Sequence, residues 1–241
     1  MESLEAELDR ARDLAVTDLA DAIESIGFEC TRCGACCKGY DHPDGEREPH
    51  TATVFPDEVR TLDDATDEAY DWRDIARPMP LGLQEGENGP EGETFEWALR
   101  TDACGDCTFY AEDDDGRGAC TVHEDRPLIC RTYPFSVALA GASQPMGEPV
   151  DSVDLPARPD ADTDDGPAVD ASVRAHECEG LGRDISRDEA EELAEALKER
   201  TVRELEEAVA VRENHEPADP GPGEVVVHDS EGAKRPDGTP W

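Results

Sequence analysis

The sequence predicts an α+β fold, mainly helical, with short strands around an irregular cysteine-rich centre. Three observations predict it. Apolar residues recur at helical steps near both ends of the chain. Four thiols, Cys30, Cys33, Cys36 and Cys37, stand within eight residues, and Cys104, Cys107, Cys120, Cys130 and Cys178 follow. The stretches between them are short, and either β-prone or rich in turn residues.

Residues 2–26 read as one helix, with Leu4, Leu8, Ala11, Ala15, Leu19, Ala22 and Ile26 on one stripe and Gly27 as its stop. The helix delivers the chain into Cys30-Thr31-Arg32-Cys33-Gly34-Ala35-Cys36-Cys37, where Gly34 supplies the positive φ that a tight loop needs. Asp41–Pro49 is polar. His42 and His50 read as surface residues, since neither has a cysteine at ligand spacing. Thr51–Phe55 is a short β-prone run, Pro56 opens a helix, and a second helical segment is expected from about Asp67 to Ala76. Thr94–Arg100 alternates as a strand. Asp113-Asp114-Asp115-Gly116 is the turn of a hairpin between Cys107 and Cys120. It lacks the terminal glutamate of a calcium loop. Arg126–Arg131 reads as a helical turn aiming Cys130 inward, and Ser136–Leu139 as a strand. Ser186-Arg187-Asp188-Glu189 is a capping box with Ile185 as its staple. The helix it starts is expected to reach Arg212. This gives one domain over 1–212, with its core at 28–182, a flexible acidic insertion at about 141–170 and a C-terminal helix at 186–212. Residues 213–241 form a tail without order beyond a short strand at Val225–Val227.

Cysteines at i, i+3 and i+6 can bring three sulfurs to one side of a loop, as in part of the bacterial ferredoxin pattern. The ferredoxin continuation is absent, and Cys37 follows Cys36 directly. Neighbouring side chains tend to point apart, so the pair is expected to serve two metals or two roles. Cys107, Cys120, Cys130 and Cys178 are the candidate partners that complete one or two shells. Thiolates favour zinc, copper(I) or iron–sulfur clusters over hard cations, which makes the irregular centre a metal-binding one. Disulfides are the competing reading. They predict an export signal and an even count, whereas the count is nine and the start is acidic. Cys104-Gly105-Asp106-Cys107 could be a redox dithiol, but no βαβ pattern surrounds it. His176 is the best-placed histidine, with a supporting role favoured over ligation.

The order of motifs from about 28 to 182 resembles the YkgJ-like cysteine-cluster family, the CxxCxxCC proteins described as zinc- or iron-chelating. The resemblance rests on the opening run, Cys107-Thr108-Phe109-Tyr110, Cys120-Thr121-Val122-His123, Arg126-Pro127, Cys130-Arg131-Thr132-Tyr133-Pro134-Phe135 and Cys178-Glu179-Gly180-Leu181-Gly182. It implies Cys30, Cys33, Cys36, Cys37, Cys107, Cys120, Cys130 and Cys178 as thiolate ligands of an iron–sulfur cluster, 4Fe-4S for example, or of zinc. Cys104 is additional, and His123 stands where a tyrosine is expected. Some relatives resemble the flagellin lysine N-methylase, and no reaction carries over from that likeness. The expected function is therefore metal binding. The alternatives are an iron–sulfur-dependent enzyme, of methyltransferase-like or electron-transfer type, and a zinc-stabilised module meeting a protein partner through its C-terminal helix.

The 241 residues carry 61 acidic and 22 basic side chains, for a net charge of −39. The acids are spread along the chain, which reads as a salt-adapted, halophilic, cytoplasmic protein that self-repels at low salt. Nucleic acid is disfavoured as a partner, because phosphate contacts need clustered Lys and Arg. No run is long and apolar enough to predict a membrane span. With 37% hydrophobic and 5% aromatic residues the core is thin, and metal ligation can supply on the order of 10 kcal/mol to such a fold.

Overall fold

The computed structural model describes residues 3–41, 45, 47–66, 70–139, 148–156 and 171–241. The fold is a mixed α+β one. Five sheets stand among the described residues, so the expectation of a mainly helical chain is corrected. The strands escape a periodicity reading because most are two to six residues long and many lack apolar alternation. Gly89–Thr94, for instance, reads Gly-Pro-Glu-Gly-Glu-Thr and exists through its pairing. None of the helices is long and apolar enough to cross a membrane, among the described residues.

The chain divides into two compact units, each discontinuous in sequence: residues 1–31 with 131–206, and residues 32–130 with 207–241. In the first unit, strand Ala171–Ala175 lies between Phe135–Leu139 and Asp151–Asp154, all antiparallel. Two N-terminal helices and the start of the helix Arg187–Asn214 bury Leu19, Ile23, Phe135, Val137, Val173 and Leu197 together. The N-terminal stripe is real, but it is carried by two helices, Leu4–Asp13 and Val16–Ile26. The break at Leu14 frees a carbonyl, and Lys198 Nζ donates to it at 2.7 Å. That donor comes from the far side of the sequence, so local periodicity could not announce the break. The capping box forms as expected: Ser186 Oγ accepts from Glu189 N, and Glu189 Oε2 accepts from Ser186 N. The expected insertion at 141–170 lies outside the described residues except for 148–156, which contain the strand Asp151–Asp154.

Gly27 ends the second helix at φ +76°, and its N–H donates to Ile23 O at 2.8 Å. A β-carbon there would strike the Arg183 carbonyl. Gly27→Ala should therefore lose about 2–3 kcal/mol, from left-handed strain plus the clash, read as a lower urea midpoint at unchanged slope.

In the second unit, strand Trp97–Leu99 lies between Thr53–Val54 and Ala76–Pro78. The hairpin Gln84–Gly86/Gly89–Thr94 is extended by Val225–Asp229, parallel to Gly89–Thr94, and then by Gly232–Lys234. Residues beyond 213 therefore build strands on both sides of a turn, where the sequence showed only Val225–Val227. The ribbons Tyr40–Asp41/Arg47–Glu48 and Tyr110–Glu112/Gly118–Cys120 complete the sheets. Helix Pro56–Ala65 starts at its proline, as expected. The expected segment 67–76 contains only the helix Trp72–Ile75 among its described residues, with 67–69 outside them. Trp97, Phe109, Leu62, Ile75 and Leu99 fill the core of this unit.

Candidate metal centre

All nine cysteines are unbridged. The unit boundaries divide them. Cys30 and Cys178 belong to the first unit, and the other seven to the second. In the first unit, Phe28 bridges Leu181 and Glu29 N donates to Gly180 O at 3.0 Å, so Cys30 and Cys178 each lie close to one antiparallel crossing. Gly180 N donates to Cys178 Sγ at 3.4 Å.

In the second unit the loop from Arg32 is bent by two successive features, Arg32 at φ +58° and Gly34 at φ +77°. A β-carbon at Gly34 would run into the Tyr110 ring, so glycine is required by conformation and by space. Cys37 N donates to Gly34 O at 2.8 Å and closes a 3-10 turn over Ala35–Cys37. Cross-links pin the loop: Gly118 N donates to Arg32 O and Cys107 N donates to Cys37 O, both at 2.8 Å. The turn brings Cys36 Sγ and Cys37 Sγ to 3.8 Å. The expectation that adjacent thiols diverge does not hold here.

Three further elements supply sulfurs. Cys107 is buried at the end of a turn whose Asp102 Oδ1 accepts from Cys104 N and Asp106 N. Cys120 closes the ribbon opposite Tyr110. Its turn is built by Asp113 Oδ1, which accepts from Asp115 N and Arg117 N. Cys130 sits in the helix Leu128–Thr132, whose Leu128 N donates to Glu58 Oε1 at 2.8 Å.

Four of the thiols are raised above the ordinary cysteine value. Cys107 is pushed up to about 11, first by burial and then by the neighbouring Cys120 and Cys36. Cys130 is pushed well up by burial first, then by Cys107, Cys36 and Cys120. Cys120 is raised by burial and by Cys36, against the lowering effect of Arg126. Cys36 is raised by its hydrogen bond with Cys37 first, then by desolvation. Cys36 thus opposes the ionisation of Cys107, Cys120 and Cys130, and Cys120 opposes that of Cys107 and Cys130. Without a cation they stay protonated at neutral pH, so loading a metal displaces protons.

Cys33 is exposed between the two left-handed residues, and Cys104 is exposed with its carbonyl accepting from Arg47 Nε at 2.6 Å. His123 is exposed beside Glu124. His50 is lowered to about 4, by burial and then by Arg77. His176, in the first unit, is buried with Nε2 at 2.9 Å from Ser136 Oγ. His42 lies outside the described residues.

The donor chemistry fits a soft or borderline ion. A tetrahedral zinc with 2.3 Å bonds needs sulfurs about 3.8 Å apart, which the Cys36–Cys37 pair matches. However, no three sulfurs lie within 4.8 Å of one another among the described residues. The donor group that does is Glu93, His215 and His228. Sequence reasoning missed that group. The signal available to it was a histidine directly after the β-prone Val225–Val227.

Residues 29–153, just over half of the 241-residue chain, match the model of the CxxCxxCC family, described as a zinc- or iron-chelating domain. No curated protein and no solved structure matches the chain.

Proposed function

As the chain belongs to the CxxCxxCC family of zinc- or iron-chelating domains, we propose that it holds an iron–sulfur cluster on Cys36, Cys107, Cys120 and Cys130. The observation that carries this reading is a tetrad of raised thiols, linked through Cys36, on four separate elements of one unit. Four thiolates are the usual ligand set of a cluster. A 4Fe-4S cluster places each thiolate on a different iron and so accepts sulfurs farther apart than one zinc does, and no three sulfurs lie within 4.8 Å of one another among the described residues. Arg126 lies near Cys36 and Cys120 and offsets part of the negative charge of the loaded centre. Cys36 is exposed, so the centre opens to solvent along the Arg32–Cys37 loop, as electron transfer to a partner requires.

Zinc is the second reading, favoured by the 3.8 Å separation of Cys36 and Cys37. Metal and sulfide analysis of protein purified without air in high salt separates the two. The cluster reading expects a brown protein with iron and acid-labile sulfide that bleaches on reduction. A colourless protein holding one or two zinc ions overturns it in favour of zinc.

A further inference from the structure

The second unit contains another donor group, of different chemistry and away from the cysteine motifs. Glu93 comes from strand Gly89–Thr94, His228 from the parallel strand Val225–Asp229, and His215 directly follows the helix that ends at Asn214. One ligand atom from each lies within 4.8 Å of the others. We propose that Glu93, His215 and His228 form a second metal site, for a divalent transition ion of the zinc class.

The scaffold is already built around the three side chains. Strand pairing places Val226 beside Glu93 and Val227 beside Thr94, which sets His228 at the same end of the sheet. Asn214 Nδ2 donates to Ser230 O at 2.7 Å, and Ser230 N donates to Glu207 Oε1 at 2.8 Å, so the helix end is tied to the turn that follows His228. Phe95 stacks on His228 at 5.3 Å and packs on His215 at 5.6 Å, while the two imidazoles meet at 4.7 Å. Rings held this way have few rotamers left to lose when an ion binds.

A plain histidine–carboxylate hydrogen bond explains only part of this. His228 is 1% exposed, and its Nε2 lies 2.7 Å from Glu93 Oε2. Its Nδ1 is buried with no partner. That hydrogen bond gives the exposed His215 no reason to present a donor here. Two imidazoles and one carboxylate are a set that zinc takes with a fourth position open, and that iron(II) also takes. Calcium and magnesium prefer oxygen-only shells. The 2.7 Å contact has to open to about 3.3 Å for two bonds of about 2.0 Å at a tetrahedral angle. Glu93 is only partly buried and can move by that amount; its carboxylate is otherwise held by Ala218 N at 3.4 Å.

The test uses the full chain, purified with its cysteine-bound metal in place and kept in high salt, where the carboxylate surface is screened. Calorimetric titration with Zn²⁺ is expected to show one additional equivalent in the wild type. His215→Ala, at an exposed position that leaves the sheet intact, should weaken that equivalent roughly tenfold or more, and Glu93→Gln should do the same, since even supporting residues of metal sites cost that much. The metal already bound by cysteine should be unchanged in both. Absence of the extra equivalent in the wild type, or wild-type affinity in folded His215→Ala, overturns the proposal.

Discussion

Cys130→Ser is expected to strip most of the metal from the protein and to lower its resistance to unfolding by more than any surface change. Serine keeps the shape but stays protonated, so it cannot replace a thiolate. Burial pushes the Cys130 thiol well up, and Cys107, Cys36 and Cys120 add to it. Removing that thiol leaves Cys36 still opposing the ionisation of Cys107 and Cys120. Outer partners of metal sites already cost 10–100-fold in affinity, and a direct ligand should cost roughly a hundredfold or more. Metal-coupled folding is worth on the order of 10 kcal/mol in small domains, so the loss should also appear as a large drop in melting temperature. Cys104→Ser is the control. Its thiol is exposed, and its backbone alone makes the contacts with Asp102 and Arg47. Metal analysis of both variants, purified without air, decides the matter. Full metal in the Cys130 variant, or equal loss in the Cys104 variant, would remove the tetrad from consideration.

Lys234→Met is expected to destabilise the second unit by about 3 kcal/mol, a fall of roughly 10 °C in melting temperature. Asp229 and Lys234 are 2% and 7% exposed, and Nζ lies 2.8 Å from Oδ2. Trp97 Nε1 donates to the same oxygen at 2.8 Å, and Glu231 N donates to Oδ1 at 2.9 Å. Methionine keeps the packing on the Trp72 ring, where Nζ stands 5.4 Å from the centroid, but it leaves a buried carboxylate without its cation. The two remaining donors keep the cost at the low end of the range for broken buried pairs. Asp229→Asn combined with Lys234→Met should recover part of the loss, and the coupling is read from the double-mutant cycle. The pH dependence has a definite sign. Glu231 is lowered from the ordinary carboxylate value to about 2, by Arg60 first and then by Lys234. Its contribution is fully present above the unfolded value and disappears as pH falls through about 2. The gap between wild type and Lys234→Met should therefore narrow on acidification.

Much of the local structure was legible because its causes are local. Pro56 starts a helix through its fixed φ, Ser186 and Glu189 satisfy each other's backbone donors, and Asp113 folds its own turn. The cysteine motifs were legible for the same reason; the family match at 29–153 covers those from Cys30 to Cys130, and the closing motif at Cys178 lies beyond it. What could not be read depends on partners distant in sequence. The Leu14 carbonyl freed between the two N-terminal helices is met by Lys198 from 184 residues away. Gly89–Thr94 is a strand because Val225–Asp229 lies beside it. The turn that joins Cys36 to Cys37 is visible in Gly34, but its closure needs the Tyr110 ring and the Cys107 amide. Glu93, His215 and His228 are unremarkable in sequence, separated by up to 135 residues, and meet only once both strands are paired.

The parallel pairing of Val225–Asp229 with Gly89–Thr94 bears on how this protein can be dissected. Within the first unit, Phe135–Leu139 likewise finds its neighbour in Ala171–Ala175. In both cases the completing strand comes after residue 153, where the family match ends. A fragment excised at the limits of that match would carry two naked strand rims with unmet amides and carbonyls, an invitation to intermolecular stacking. The motif's borders are a boundary of recognition, and the self-sufficient folding entity is longer.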